Sequence, residues 1–126
     1  MNVKIDTKER FHVITPLNTD LTETMAEAMD AVLIPFLNTD IKNLVLNMDQ
    51  VKTMDEAIAH KLLQIQQTFY AGDASFVLCG LAKEVESYLD SIELLDILNI
   101  TPTESEAWDI VQMEEIEREL FDDDVL

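Results

Sequence analysis

Residues 43–58 read Asn43-Leu-Val-Leu-Asn-Met-Asp-Gln-Val-Lys-Thr-Met-Asp-Glu-Ala-Ile58. Leu44 to Met48 is a short, mostly apolar run of the kind that forms an interior strand, and it stops at Asp49-Gln50. From Asp55 the period changes from two to between three and four: Ile58, Leu62, Ile65 and Phe69 fall on one helical face, and Gly72 follows just beyond Tyr70-Ala71. Strand, tight loop and helix therefore follow one another within 30 residues, which predicts one unit of a parallel sheet with helical crossovers.

Working outward, the same alternation recurs on both sides. Val3 to Thr7 alternates apolar with polar, and Phe11 to Ile14 follows the polar stretch Lys8-Glu-Arg10, so the two read as a strand pair. Asp20-Leu-Thr-Glu23 has the spacing of a capping box and predicts a helix start. Leu21, Met25, Ala28, Met29, Val32, Leu33 and Phe36 form its apolar stripe, and Pro35 is expected to kink or end it. Downstream, Ser75 to Cys79 reads as a buried strand, Ala82 to Ser91 as a short helix and Leu98 to Ile100 as a last strand. Thr103-Glu-Ser-Glu106 is a second capping box. It opens a final helix expected to pack through Ala107, Ile110, Met113, Ile116 and Leu120. The predicted order is β, β, α, β, α, β, α, β, α, with one domain over residues 1–121 and an acidic tail over 122–126.

Composition narrows the chemistry. The chain has 126 residues and a formal charge of −18, with ten acidic residues and one arginine from Glu104 onward. Such a surface repels phosphate backbones and anionic lipids, so neither nucleic acid nor direct membrane insertion is expected. A basic partner and a plainly solvated acidic helix are both open readings of that end. The longest apolar run, Ala31 to Leu37, is far short of the roughly 20 residues that cross a bilayer, and the polar start MNVKIDTKER does not read as a secretory signal. With a single cysteine besides, a cytoplasmic protein is expected.

Gly72 and Gly80 are the only glycines and lie in no phosphate-binding fingerprint, so no nucleotide cofactor is expected. His12 and His60 lack partners at metal-ligand spacing, and no metal site is expected. Cys79 closes an apolar strand, where a buried, inert thiol is the ordinary state. The abundant carboxylates fix no acid–base pair, and Asp122-Asp-Asp124 lacks the glycine and terminal glutamate of a calcium loop. No catalytic residue is assigned, and the chain reads as a non-enzyme.

The segment from Asn43 to Ile58 closely resembles the central signature of STAS domains, the family that includes bacterial anti-sigma factor antagonists. In that family a buried strand leads through a polar residue, a valine and an apolar residue into Asp-Ser-Ser/Thr-Gly at the start of a helix. Met54 and Asp55 match, as do the Cys79-Gly80-Leu81 turn and the stretch from Ile100 to Ala107. The resemblance implies an α/β fold with a mixed sheet of about four to five strands flanked by about four helices. It also implies a partner surface at the start of the second helix. In the antagonists a kinase-like anti-sigma factor docks there and phosphorylates the serine after the aspartate. Here that position is Glu56, followed by Ala57, with Ile58 in place of the usual glycine. The family's serine switch therefore cannot operate.

Two readings of Glu56 stand side by side. An acid in a first helical turn is stabilised by free amides and the helix dipole, with Asp55 as N-cap. The sharper reading makes Glu56 an incomplete imitation of a phosphoserine, with less charge and fewer acceptor oxygens. His60, one turn on, is placed to pair with it. The candidate partner-binding residues are thus Thr53, Asp55, Glu56, Ala57 and His60.

The expected function is a protein-interaction module of the anti-sigma factor antagonist type, regulating transcription or signalling through an anti-sigma factor or a larger signalling assembly. The alternative drawn from the family is an accessory subunit that binds the ATPase of a lipid-transporting ABC complex. A homodimer is a further option. Because Asp122 to Leu126 follows the last periodic apolar position, truncation at Phe121 is expected to leave the melting temperature nearly unchanged; a large drop would show that the tail docks on the fold.

Overall fold

The structure is a computed structural model that describes the backbone of residues 1–125 and the side chains of residues 1–120. Its main sheet has five strands in the order β1 (Val3–Thr7), β2 (His12–Pro16), β4 (Leu44–Asn47), β6 (Phe76–Cys79) and β7 (Ile100–Thr101). The first pair is an antiparallel hairpin, with Ile5 opposite Ile14, and every later pairing is parallel. Four helices connect or follow these strands: α1 (Ala26–Leu33), α2 (Glu56–Ala71), α3 (Lys83–Ser91) and α4 (Glu104–Val125). The mixed five-stranded sheet with four helices agrees with the architecture expected from the sequence.

The sheet order follows the chain order, so each parallel crossover steps in the same direction, and crossovers of one hand then stack on one face. Side-chain alternation shows the result. Ile14, Leu44, Leu46, Phe76 and Leu78 form one core with Met29 and Leu33 of α1, Ile58, Leu62, Ile65 and Phe69 of α2, and Val85 and Leu89 of α3. Val13, Val45, Val77 and Cys79 point the other way, where α4 alone covers them through Ala107 and Val111. Phe11 and Trp108 stack beside this second core with ring centroids 5.0 Å apart.

Three local expectations are corrected. The Asp20–Glu23 stretch does not open a helix. Asp20 and Leu21 form β3, which pairs in parallel with β5 (Thr53–Met54), and a 3-10 turn over Glu23–Met25 precedes α1. The carboxylate of Asp20 is drawn to Thr53, whose hydroxyl donates to it at 2.6 Å, so it leaves the helix start uncapped. Pro35 does end α1, in a second 3-10 turn over Ile34–Asn38. The last strand lies two residues later than expected, because Leu98 is buried in the turn that follows α3 and donates its N–H to the Leu94 carbonyl.

The third correction concerns α4. Thr103 caps it as expected, accepting the Glu106 N–H at 3.2 Å, and Ala107 is buried. Met113, Ile116 and Leu120 nevertheless face solvent. The inward positions of this half are Glu114, Glu115 and Arg118, which meet the polar residues standing just before three parallel strands. Asn43 donates to Glu115 at 2.6 Å and accepts from Arg118 at 3.4 Å. Ser75 accepts from Arg118 at 3.3 Å. Asn99 and the Tyr70 hydroxyl both donate to Glu114. Asn43 and Ser75 are buried; Asn43 also donates to the Arg10 carbonyl at 3.1 Å and accepts the Ser75 N–H at 2.8 Å, and α4 adds charged partners to this pair, although Glu114 Oε1 is buried without one. The acidic end from Asp122 to Leu126 lies outside the residues whose side chains are described.

α2 and α3 end alike. In each, a residue in the left-handed region follows the cap, Asp73 at φ 59° and Glu93 at φ 63°, and the next amide reaches back to the helix, Ala74 to Phe69 and Leu94 to Leu89, both at 2.9 Å. The stop after α2 is therefore made by Asp73, and Gly72 keeps an ordinary negative φ.

The start of α2 is fixed by Asp55. Its Oδ1 accepts the Ile58 N–H at 3.0 Å, the ordinary N-cap bond, and its Oδ2 accepts the Glu23 N–H at 2.6 Å. One carboxylate thus caps α2 and the 3-10 turn that leads into α1. Asp55→Ala is expected to destabilise the fold by about 1–2 kcal/mol in denaturant titration. Asp55→Asn should fall between wild type and alanine: asparagine is a good N-cap, but its amide nitrogen would oppose the Glu23 N–H. An asparagine variant as stable as wild type would show that the second bond contributes nothing. Glu93→Gly removes a side chain from a left-handed position and should stabilise by about 1 kcal/mol, seen as a melting temperature a few degrees higher; a lower one would mean that no strain resides there.

Candidate functional site

The C-terminal ends of the parallel strands gather three loops. β4 runs through Asn47, which accepts the Asp49 N–H at 3.0 Å, into the turn at Met48–Val51. β6 runs through Cys79 into Gly80, whose φ of +71° strains any side chain; a Cβ there would also crowd the Asn47 Oδ1 at 3.1 Å. The third loop follows β7, where the Pro102 carbonyl accepts from the Gly80 N–H. This edge is where ligands meet α/β sheets in general. Here the strand order does not reverse.

Beside this edge the short β3–β5 ladder holds the start of α2. Lys52 and Thr53 donate backbone N–H groups to the Thr19 carbonyl at 2.7 and 3.2 Å, and Asp55 donates to Leu21 at 3.1 Å. Met54 is turned into the core, which aims its neighbours outward. Thr53, Glu56, Ala57 and His60 are exposed and Asp55 is half-buried, so the five sequence-predicted residues share one surface. Glu56 and His60 lie 3.5 Å apart, one helical turn from each other. Both oxygens of Asp55 are used within the protein, so its part in this surface is to hold the helix start.

Residues that the sequence did not single out complete the patch. Asp20 lies under Thr53, and Glu23 is tied to Asp55. Tyr88 on α3 stands close enough that its hydroxyl pKa is pushed up, first by partial burial and then by the negative charge of Glu56 and Asp55. Asp20 and Tyr88 reach the site through a two-residue strand pairing and a helix packing, neither of which leaves a periodic signal in the sequence. The resulting surface carries Asp20, Glu23, Asp55 and Glu56, with Lys52 at its edge and His60 beside Glu56.

Other reactive side chains are occupied by structure. His12 is buried against Phe36; its Nε2 donates to the Ile41 carbonyl at 2.7 Å, and its Nδ1 bonds the Thr7 hydroxyl at 3.0 Å. Cys79 is buried, and desolvation, followed by the charges of Glu104 and Asp49, pushes its thiol up to about 12, which suppresses the nucleophilic thiolate. Among the described residues no three His, Cys, Asp or Glu side chains are gathered as a metal site, and no helix is long and apolar enough to cross a membrane. An open groove between α1 and α2 is bridged by Lys61 and Asp30 at 2.8 Å.

Comparison with known proteins agrees with this architecture. An anti-sigma factor antagonist (STAS) domain protein from Planctomyces limnophilus superposes with a TM-score of 0.74 at 14% identity, over 87% of this chain and 97% of that one. A serine-to-glutamate variant of RsbS from Moorella thermoacetica gives 0.72 at 19% identity, over 89% and 96%. The anti-sigma factor antagonist SpoIIAA in its unphosphorylated form gives 0.69 at 18%, over 88% and 96%. No curated protein matches the sequence. Residues 2–107 match the STAS domain family from the first strand to the first turn of α4, and the chain belongs to that family.

Proposed function

We propose that this chain is a protein-interaction module of the anti-sigma factor antagonist type, and that its partner docks on the surface formed by Thr53, Asp55, Glu56, Ala57 and His60. The observation that carries this reading is Glu56 itself, a permanently acidic side chain exposed on the first turn of a helix whose start is locked by Asp55. It occupies the position where the family resemblance places a phosphorylatable serine. A hydroxyl there can alternate between neutral and doubly charged states, whereas a carboxylate at neutral pH cannot. The domain is therefore held in one binding state, and regulation falls to the supply of the partner. The acidity of the surface favours a partner that presents basic groups, since complementary charge speeds encounter and excludes wrong partners. The chain binds without catalysing a reaction and works in the bacterial cytoplasm.

The test begins with affinity capture from the source cells, using the intact chain as bait. A kinase-like anti-sigma factor or another component of a signalling assembly is the expected partner, whereas recovery of an ABC ATPase would redirect the reading to transport. With the partner in hand, Glu56→Lys is expected to weaken binding about tenfold or more while the fold survives, because a cation at the positive end of a helix reverses the sign of an exposed position. Glu56→Ser should be a poor kinase substrate, since Ile58 stands where the family has glycine. Unchanged affinity in both folded variants would remove the start of α2 from consideration as the docking surface.

A further inference from the structure

α4 is patterned inside out over its second half. The positions turned to the sheet there are Glu114, Glu115 and Arg118, while Met113, Ile116 and Leu120 are 56, 56 and 59% exposed. A helix that only covers a sheet carries its apolar residues inward and its charges outward. Single exposed apolar residues need no explanation, but these three are spaced i, i+3 and i+7 and form one line about 10 Å long on the solvent side.

The border of that line is predominantly acidic; Arg10, which lies beside Ile116, is paired with Glu115 at 3.3 Å. Helical spacing sets Glu106, Asp109 and Glu117 alongside it, all exposed, and the only basic residue of α4, Arg118, is turned inward to Asn43 and Ser75. The charge identifies what fits. A second copy would set two acidic borders against each other, and like charges brought together across an interface cost several kcal/mol. Nucleic acid and anionic lipid carry the same sign as the border. A helix with apolar residues at the same spacing, flanked by lysine and arginine, complements both the line and its border.

We propose that the solvent face of α4, centred on Met113, Ile116 and Leu120, docks a basic amphipathic helix of a partner protein. α4 covers the sheet face opposite α1–α3, so this surface is separate from the start of α2, and both can be occupied at once. The methionine lets the line adapt to different side chains. Its shortness makes the contact a weak one that salt screens.

Isothermal titration of the full chain with two synthetic peptides of about 18 residues tests the proposal. Both carry leucine at i, i+3, i+4 and i+7, one with lysine and the other with glutamate at the remaining positions. At about 0.15 M salt the lysine peptide should bind once per chain in the micromolar range, and the glutamate peptide should not bind. Replacing Met113, Ile116 and Leu120 together by serine should weaken the lysine peptide about tenfold or more without lowering the melting temperature. Neutralising the exposed Glu84 and Glu86 of α3 to glutamine should change the affinity by less than roughly twofold. Undiminished binding by the serine variant, or an equal loss in the α3 variant, would reduce the contact to general charge attraction and overturn the proposal. A dimer in sedimentation that the serine variant dissolves would assign the face to a second copy instead. A serine variant that melts far lower would place the three side chains in the core and equally overturn it.

Discussion

Sheet order is the constraint on which the remaining structure depends. Because β2, β4, β6 and β7 lie side by side in chain order, the three crossover helices share one face of the sheet, and the other face is left to whatever follows β7. A single helix must cover that second face. α4 does so with apolar contacts over its first two turns, where Ala107 and Val111 meet Val45 and Val77, and with hydrogen bonds and charge beyond them. The change occurs where the helix reaches the N-terminal ends of the strands and meets Asn43, Ser75 and Asn99. There Glu114, Glu115 and Arg118 take the inward positions, and the apolar line lies on the solvent side.

At the opposite end of the strands the fold is held by a small number of polar bonds. The β3–β5 ladder contributes only two residues from each strand, yet it carries the Thr53 hydroxyl to Asp20 and brings the Asp55 carboxylate within reach of two separate chain turns. Charged acceptors of backbone N–H groups form stronger hydrogen bonds than neutral ones, so this carboxylate is well suited to joining the approach to α1 with the start of α2. The exposed surface built on that junction is held at its base by these hydrogen bonds and carries the carboxylates of Asp20, Glu23 and Glu56.

The chain belongs to the STAS family and agrees in fold with anti-sigma factor antagonists at identities below 20%. At that distance the shared sheet order and core outlast the individual side chains. Glu56 follows Asp55 on the first turn of α2, and the helix start does not depend on it, because the cap is supplied by the Asp55 carboxylate.

The sequence by itself determined the elements that repeat a period over many residues. The apolar runs of β4 and β6, the face of α2 from Ile58 to Phe69, the hairpin and the N-cap at Asp55 all follow from local pattern, since each is decided by neighbours within one or two turns of the chain. The placement of Thr53, Asp55, Glu56, Ala57 and His60 at the start of α2 follows from the same local strand-to-helix pattern. Tertiary structure decided the rest. Asp20 had the spacing of a helix cap, but Thr53, 33 residues away, captured its carboxylate and a distant aspartate satisfied the Glu23 amide in its place. Met113, Ile116 and Leu120 had the spacing of a buried face, but the other side of α4 faces the sheet, where Glu115 and Arg118 bond Asn43 and Ser75. In both places polar groups distant in sequence are brought together by the fold, and such pairings are invisible to any window of sequence; at Asp20 the local preference set aside is a cap worth about 1 kcal/mol.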